Sequence, residues 1–140
     1  MTFKRAMLVS ISAALFAASP MAVAGGSSVV VKNSELKWQD MGNGVSAAVV
    51  SGDMQKGASR FFLKYPAGLV TPPHHHSTDH YVTVVSGTLT LTVQGKDYKL
   101  GPGDYFALTN KVSHVAKVDG KTEAVFFIQA DAPWDVAMDK

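Results

Sequence analysis

The chain has 140 residues, with 13 Lys and Arg against 11 Asp and Glu, five His and no Cys. That length allows one ordinary domain rather than two. A net charge of +2 gives no electrostatic case for nucleic acid or anionic lipid, and without thiols any metal must be held by nitrogen and oxygen donors and any fold must stand without disulfides. In chain order, Lys4 and Arg5, the apolar stretch from Ala6 to Ala18 and the Ala22-Val23-Ala24 site make residues 1–24 a secretory signal peptide cleaved after Ala24. Pro20 and the serines within it make the stretch too short and too polar to span a bilayer. The expectation is a periplasmic or secreted protein of 116 residues with 11 positive and 11 negative side chains, free of the membrane once the signal is removed.

Residues 25–35 read as an N-terminal leader or strand, 36–130 as the domain and 131–140 as an irregular tail. Within the domain, short runs of β-branched and aromatic residues are broken by Gly, Pro, Asn and Asp, which predicts strands over 45–50, 60–65, 81–85, 88–93, 97–100, 105–108, 114–118 and 124–129. The alternation in 88–93 is strict, so Leu89, Leu91 and Val93 should face a core and the threonines water. No window outside the signal has helical periodicity. The expected fold is all-β with at most a turn or two of helix, two packed antiparallel sheets or a barrel.

Four of the five histidines fall in Pro72-Pro73-His74-His75-His76-Ser77-Thr78-Asp79-His80. In an extended segment residues two apart share a face, so His74 and His76 converge while His75 points away, and His80 keeps the same parity. Neutral imidazole is the commonest ligand for Zn, Cu, Fe and Ni, and with His114 at the start of a later strand these four predict a site for one divalent transition metal ion. The plainer alternative is a surface loop and a structural His114.

At these residues the chain resembles the cupin superfamily, whose first motif runs glycine, five residues, His-x-His, three or four residues, glutamate, six residues and glycine. Gly68, His74, His76, His80 and Gly87 take those places, and Gly101-Pro102-Gly103-Asp104 followed by His114 resembles the second motif. His80 stands where the family most often has glutamate, which would make a site of four neutral imidazoles around a bound ion of full +2 charge. The resemblance implies an antiparallel jelly-roll sandwich or barrel, ligands pointing inward with one or two coordination positions left open, and a homodimer, with Val29-Val30-Val31 a segment that could pair with a partner's sheet edge.

For function, the reading is a metal-dependent enzyme, dioxygenase-like, acting on a small organic molecule that chelates the metal through oxygen; the alternative is a binding or sensing module without catalysis. Tyr81 and Tyr105 are the candidate catalytic residues, since a phenol beside a metal can orient a substrate or pass a proton. Tyr65, Phe61, Phe106, Phe126 and Trp38 are candidates to line the pocket, Asp79 to orient a ligand imidazole, and Asp104 to serve a turn. The metal could be Mn, Fe, Ni, Cu or Zn: the signal has Lys4-Arg5 in place of twin arginines, so metal would be acquired outside the cytoplasm, where Cu and Zn compete best for nitrogen ligands.

Overall fold

A computed structural model describes residues 26–140. The expected signal peptide lies outside the described residues. Eleven strands, all paired antiparallel, form two sheets: β1 (Gln39–Gly42), β2 (Val45–Gly52), β3 (Ser59–Tyr65), β4 (His74–His75), β5 (His80–Ser86), β6 (Leu89–Val93), β7 (Lys96–Leu100), β8 (Tyr105–Leu108), β9 (His114–Val118), β10 (Ala124–Ala130) and β11 (Ala137–Met138). One sheet runs β1-β2-β3-β10-β5-β8 and the other β11-β4-β9-β6-β7. From β3 to β10 the chain steps repeatedly between them, giving the jelly-roll sandwich that the sequence predicts. The described residues contain one 3₁₀ turn, Asn33–Glu35, and no α-helix.

The period-two pattern decides which side chains enter. Leu89 and Leu91 of β6, Val82 and Val84 of β5 and Phe126 and Ile128 of β10 are buried between the sheets, with Phe61 fully enclosed. Burying one such side chain contributes roughly 1.5–3 kcal/mol, so this layer supplies the driving force that missing disulfides do not. Thr90 departs from the expected alternation. It is buried on the outer face, where its hydroxyl donates to Asp119 of the β9–β10 turn.

Two turns explain the glycines that punctuate the pattern. Gln94 and Gly95 both take positive φ, 51° and 75°, the twisted two-residue turn that joins β6 to β7. Gly87, where β5 hands over to β6, has φ 78°, and a Cβ there would lie 2.5 Å from the Glu123 carbonyl oxygen. Only glycine meets both demands.

Three strands were not foreseen. β1 pairs with β2 and extends the first sheet, while β4, two residues long, lies between β9 and β11. The tail expected to be irregular therefore carries a strand: Ala137 pairs with His75 and Met138 with His74. Val29 and Val30 are exposed and belong to no strand.

Candidate metal centre

Register builds the site. His74 of β4 stands directly opposite His114 of β9, a cross-strand pair whose rings come within 4.2 Å. His76, two residues beyond His74, keeps its face and lies with its ring 5.1 Å from both. The candidate ligand nitrogens of His74, His76 and His114 all fall within 4.8 Å of one another, and all three side chains are buried. His80 opens β5 in the opposite sheet; it is buried too, its ring 4.3 Å from His76, though outside that tightest group of three. His75 points the other way and pairs through Nδ1 with Asp139 at 2.6 Å.

Each of the four inward rings presents Nδ1 to a backbone carbonyl: His74 to Pro72 at 2.9 Å, His114 to Val112 at 3.1 Å, His80 to Thr78 at a looser 3.4 Å, and His76 to Asp135. A carbonyl only accepts, so Nδ1 carries the proton and Nε2 keeps its lone pair free. That is the arrangement by which surrounding groups orient a metal-binding imidazole. Burial pushes His76 down to about 3, helped by the neighbouring His80, and His114 down to about 4; it lowers His80 as well. At neutral pH these rings are uncharged, which is the form that ligates.

The cluster faces a cavity of about 30 Å³ between the sheets, room for a water or two. Tyr65, Phe106, Phe126 and Trp134 line it with aliphatic side chains, and among the described residues no Asp, Glu, Lys or Arg does. Burial pushes the Tyr65 phenol up to about 12, so it stays protonated. Phe61 packs edge-on against Trp134 at 5.3 Å, one layer back. Trp38 lies elsewhere, under the Lys64 ammonium at 4.3 Å.

Tyr81 and Tyr105, expected at the metal, are on the outer face. Tyr81 alternates with the inward His80 and Val82 on β5, and Asp131 beside it raises its phenol; Tyr105 is 60% exposed and sits opposite Thr83, one residue out of step with the inward Phe106. Strand parity excludes both from the cavity. Asp79 accepts from the Asn110 backbone N–H at 2.9 Å, anchoring the β8–β9 loop, in place of the expected bond to a candidate ligand imidazole. Asp104 accepts from the Gly101 N–H at 2.8 Å and serves the turn, as expected.

The residues that sequence reasoning missed lie in 131–140. The Trp134 indole stacks on His76 at 5.1 Å with planes 23° apart. The Asp135 carbonyl takes the His76 Nδ1–H, while its carboxylate accepts from the Ser77 N–H at 2.7 Å and the Ser77 hydroxyl at 2.6 Å. Asp139 holds His75 and the Ser113 hydroxyl together. A Trp in a short tail was the available signal, because so large an apolar ring is seldom left in water.

Comparison with known proteins agrees with this fold. The family model described as "Cupin domain" matches residues 61–129. The structure of KdgF from Halomonas sp. is similar, with a TM-score of 0.62 and 26% identity over 76% of this chain and 94% of that one. The polyketide cyclase RemF from Streptomyces resistomycificus superposes with a TM-score of 0.68 over 81% of this chain and 87% of that one; at 18% identity it speaks for the fold alone. A curated relative, a DNA damage-repair/toleration protein of Arabidopsis thaliana, is 29% identical over 113 residues, 79% of this chain. The chain spans about a third, 34%, of that protein's length.

Proposed function

Since the chain belongs to the cupin superfamily, we propose that its histidine cluster holds one divalent transition metal ion, with His80 as fourth ligand beside His74, His76 and His114, in a metal-dependent enzyme acting on a small organic molecule that chelates through oxygen. One observation carries this reading: four buried rings have Nδ1 committed to carbonyls, which leaves four Nε2 lone pairs without a partner. Neutral imidazole nitrogens that converge without a donor from the chain are the ligand set a divalent transition metal takes. His80 enters the set because its ring lies beside His76 and its carbonyl contact repeats the pattern.

When bound, the ion would supply Lewis acidity toward a chelating substrate and toward dioxygen, undiminished by any carboxylate ligand. The chain's own residues do the rest. Trp134, Phe106 and Phe126 make the wall beside the cluster apolar. Tyr65, held protonated, can donate a hydrogen bond but cannot act as a base at neutral pH. With the imidazoles committed and no carboxylate in the cavity, reactions that begin by proton abstraction lack a base. The oxidative, dioxygenase-like reading, in which both atoms of dioxygen enter the product, asks of these residues no proton transfer beyond the deprotonation that chelation to the ion would itself promote.

The same lack would suit a binding module, and turnover separates the two. Oxygen uptake by chain loaded in turn with Mn, Fe, Ni and Cu, offered catechols, β-diketones and hydroxy acids, tests the enzymatic reading. Substrate-dependent uptake that disappears with chelator supports it, and none with any pairing would leave binding as the function. Export through residues 1–24, proposed from the sequence, would place either activity outside the cytoplasm.

A further inference from the structure

The two sheets leave a groove where the β1–β2 edge of one faces the β4–β11 edge of the other. Its volume is about 390 Å³, within the usual range for small-molecule sites. Met41, Val45, Leu69, Val70, Val136 and Met138 wall it, and no Asp, Glu, Lys or Arg does among the described residues. Met41, Val70, Val136 and Met138 are 46%, 56%, 45% and 62% exposed. Apolar side chains gathered on a surface in this way mark a place where something binds.

The groove leads to the histidines. Leu63, Tyr65 and Trp134 line both the groove and the inner cavity, so they form the partition between the two. His74 lines the groove, while His76, His80 and His114 line the cavity. The cluster is thus approached from both sides of one indole ring. The Trp134 Nε1–H is buried without a hydrogen-bond partner in the chain, a donor left unengaged at the partition.

Size and charge then select the ligand. The inner cavity, at about 30 Å³, takes only the reacting end of a substrate, and the body must lie outside it. A charged body in the groove would lose its hydration against methionine and valine with no counter-ion to replace it. The larger opening at the barrel end beside His114, about 830 Å³, sets Thr92, Gln94, Thr109, Asn110 and Ser113 beside Val93, Val112 and Val115, a mixed lining that suits a polar body better than the groove does.

We propose that the groove between the β1–β2 and β4–β11 edges binds the body of the substrate, a neutral and mainly apolar molecule of aromatic size, with its chelating oxygens directed past Trp134 to the histidine cluster. The proposal rests on the metal-dependent reading above and adds the substrate class.

The chain has two tryptophans, so a Trp38→Phe variant leaves Trp134 as the single fluorescent reporter. Loaded with zinc, which has no redox chemistry, it can be titrated with 4-tert-butylcatechol without turnover. The expected result is saturable quenching of Trp134, with 3,4-dihydroxybenzoate, equally chelating but charged, binding about tenfold more weakly. Val70→Asp and Met138→Asp, at exposed positions, should each weaken the catechol by about tenfold with zinc content unchanged. Undiminished affinity in both variants overturns the proposal and places the body at the polar barrel end. Variants that turn a dimer into a monomer on size exclusion, with affinity unchanged, also overturn it, since a second copy then covers the groove. If the chain takes up no zinc, the metal reading fails separately. The groove is then judged by the uncharged dye Nile red: binding that falls with Val70→Asp keeps the groove as the site of a neutral apolar ligand, and binding that does not fall overturns that as well.

Discussion

Holding imidazoles neutral between the sheets has a cost that shows in acid. Burial pushes His76 down to about 3 and His114 down to about 4, with His80 lowered too, whereas in the unfolded chain a histidine titrates near 6.5. Between those values the unfolded chain binds more protons than the folded one. The metal-free protein therefore has its full stability above about pH 7 and loses it as pH falls from there toward 4. At pH 5.5 His76 and His114 each cost about 1.4 kcal/mol. His76 and His114 together lower stability by about 3 kcal/mol relative to pH 7.5, and His80 adds in the same direction. Asp135 and Asp139, lowered chiefly by hydrogen bonds from Ser77 and Ser113, are ionised in both states at pH 5.5 and do not contribute to the difference. Urea unfolding of chelator-treated chain at the two pH values, followed by tryptophan fluorescence, measures the loss directly. A His76→Gln, His114→Gln double variant should lose about 3 kcal/mol less than the parent. Equal stability of the parent at both pH values, or an undiminished acid loss in the variant, would refute the claim that burial keeps the cluster neutral.

Trp134→Ala removes the ring stacked on His76 and packed against Phe61, and should cost about 3 kcal/mol in thermal or urea unfolding and weaken metal binding by about tenfold in a competitive chelator titration. Gly87→Ala places a methyl against the Glu123 carbonyl at a positive φ, and should lower stability by more than about 1 kcal/mol while leaving metal stoichiometry intact in whatever folds. Tyr81→Phe and Tyr105→Phe, both on the outer face, should match the parent in metal content and in any turnover; a fall in either would mean that an outer-face phenol reaches the site after all.

How much of this was legible in the sequence depended on whether the signal was local. The all-β sandwich was, because alternation at Leu89-Thr90-Leu91 and in the neighbouring strands is a property of a few consecutive residues, while its jelly-roll topology was implied by the resemblance at the histidine and glycine motifs. His74 and His76 were legible for the same reason, and His75 was correctly turned away by parity. Tyr81 and Tyr105 were misplaced as candidates through closeness in sequence to His80 and the second motif. The parity that admits His80 excludes its neighbour Tyr81. Trp134, Asp135 and Asp139 were out of reach, since their importance comes from contacts with His76, Ser77 and His75 about 60 residues away, and Ala137–Met138 is too short a strand to show a period. These residues also lie beyond the stretch that the Cupin domain model matches, so the family pattern ends before the segment that orients the candidate ligand His76.

The central claim is that the four inward imidazoles hold an ion. Its most direct test is metal analysis of untagged chain equilibrated with micromolar divalent metals, beside a His74→Ala, His114→Ala variant whose folding is checked by circular dichroism. The account predicts about one equivalent of a transition metal per chain, lost in the folded variant. No bound metal in the parent, or the same amount in both, would contradict it and leave the cluster as a buried set of histidines in a jelly roll.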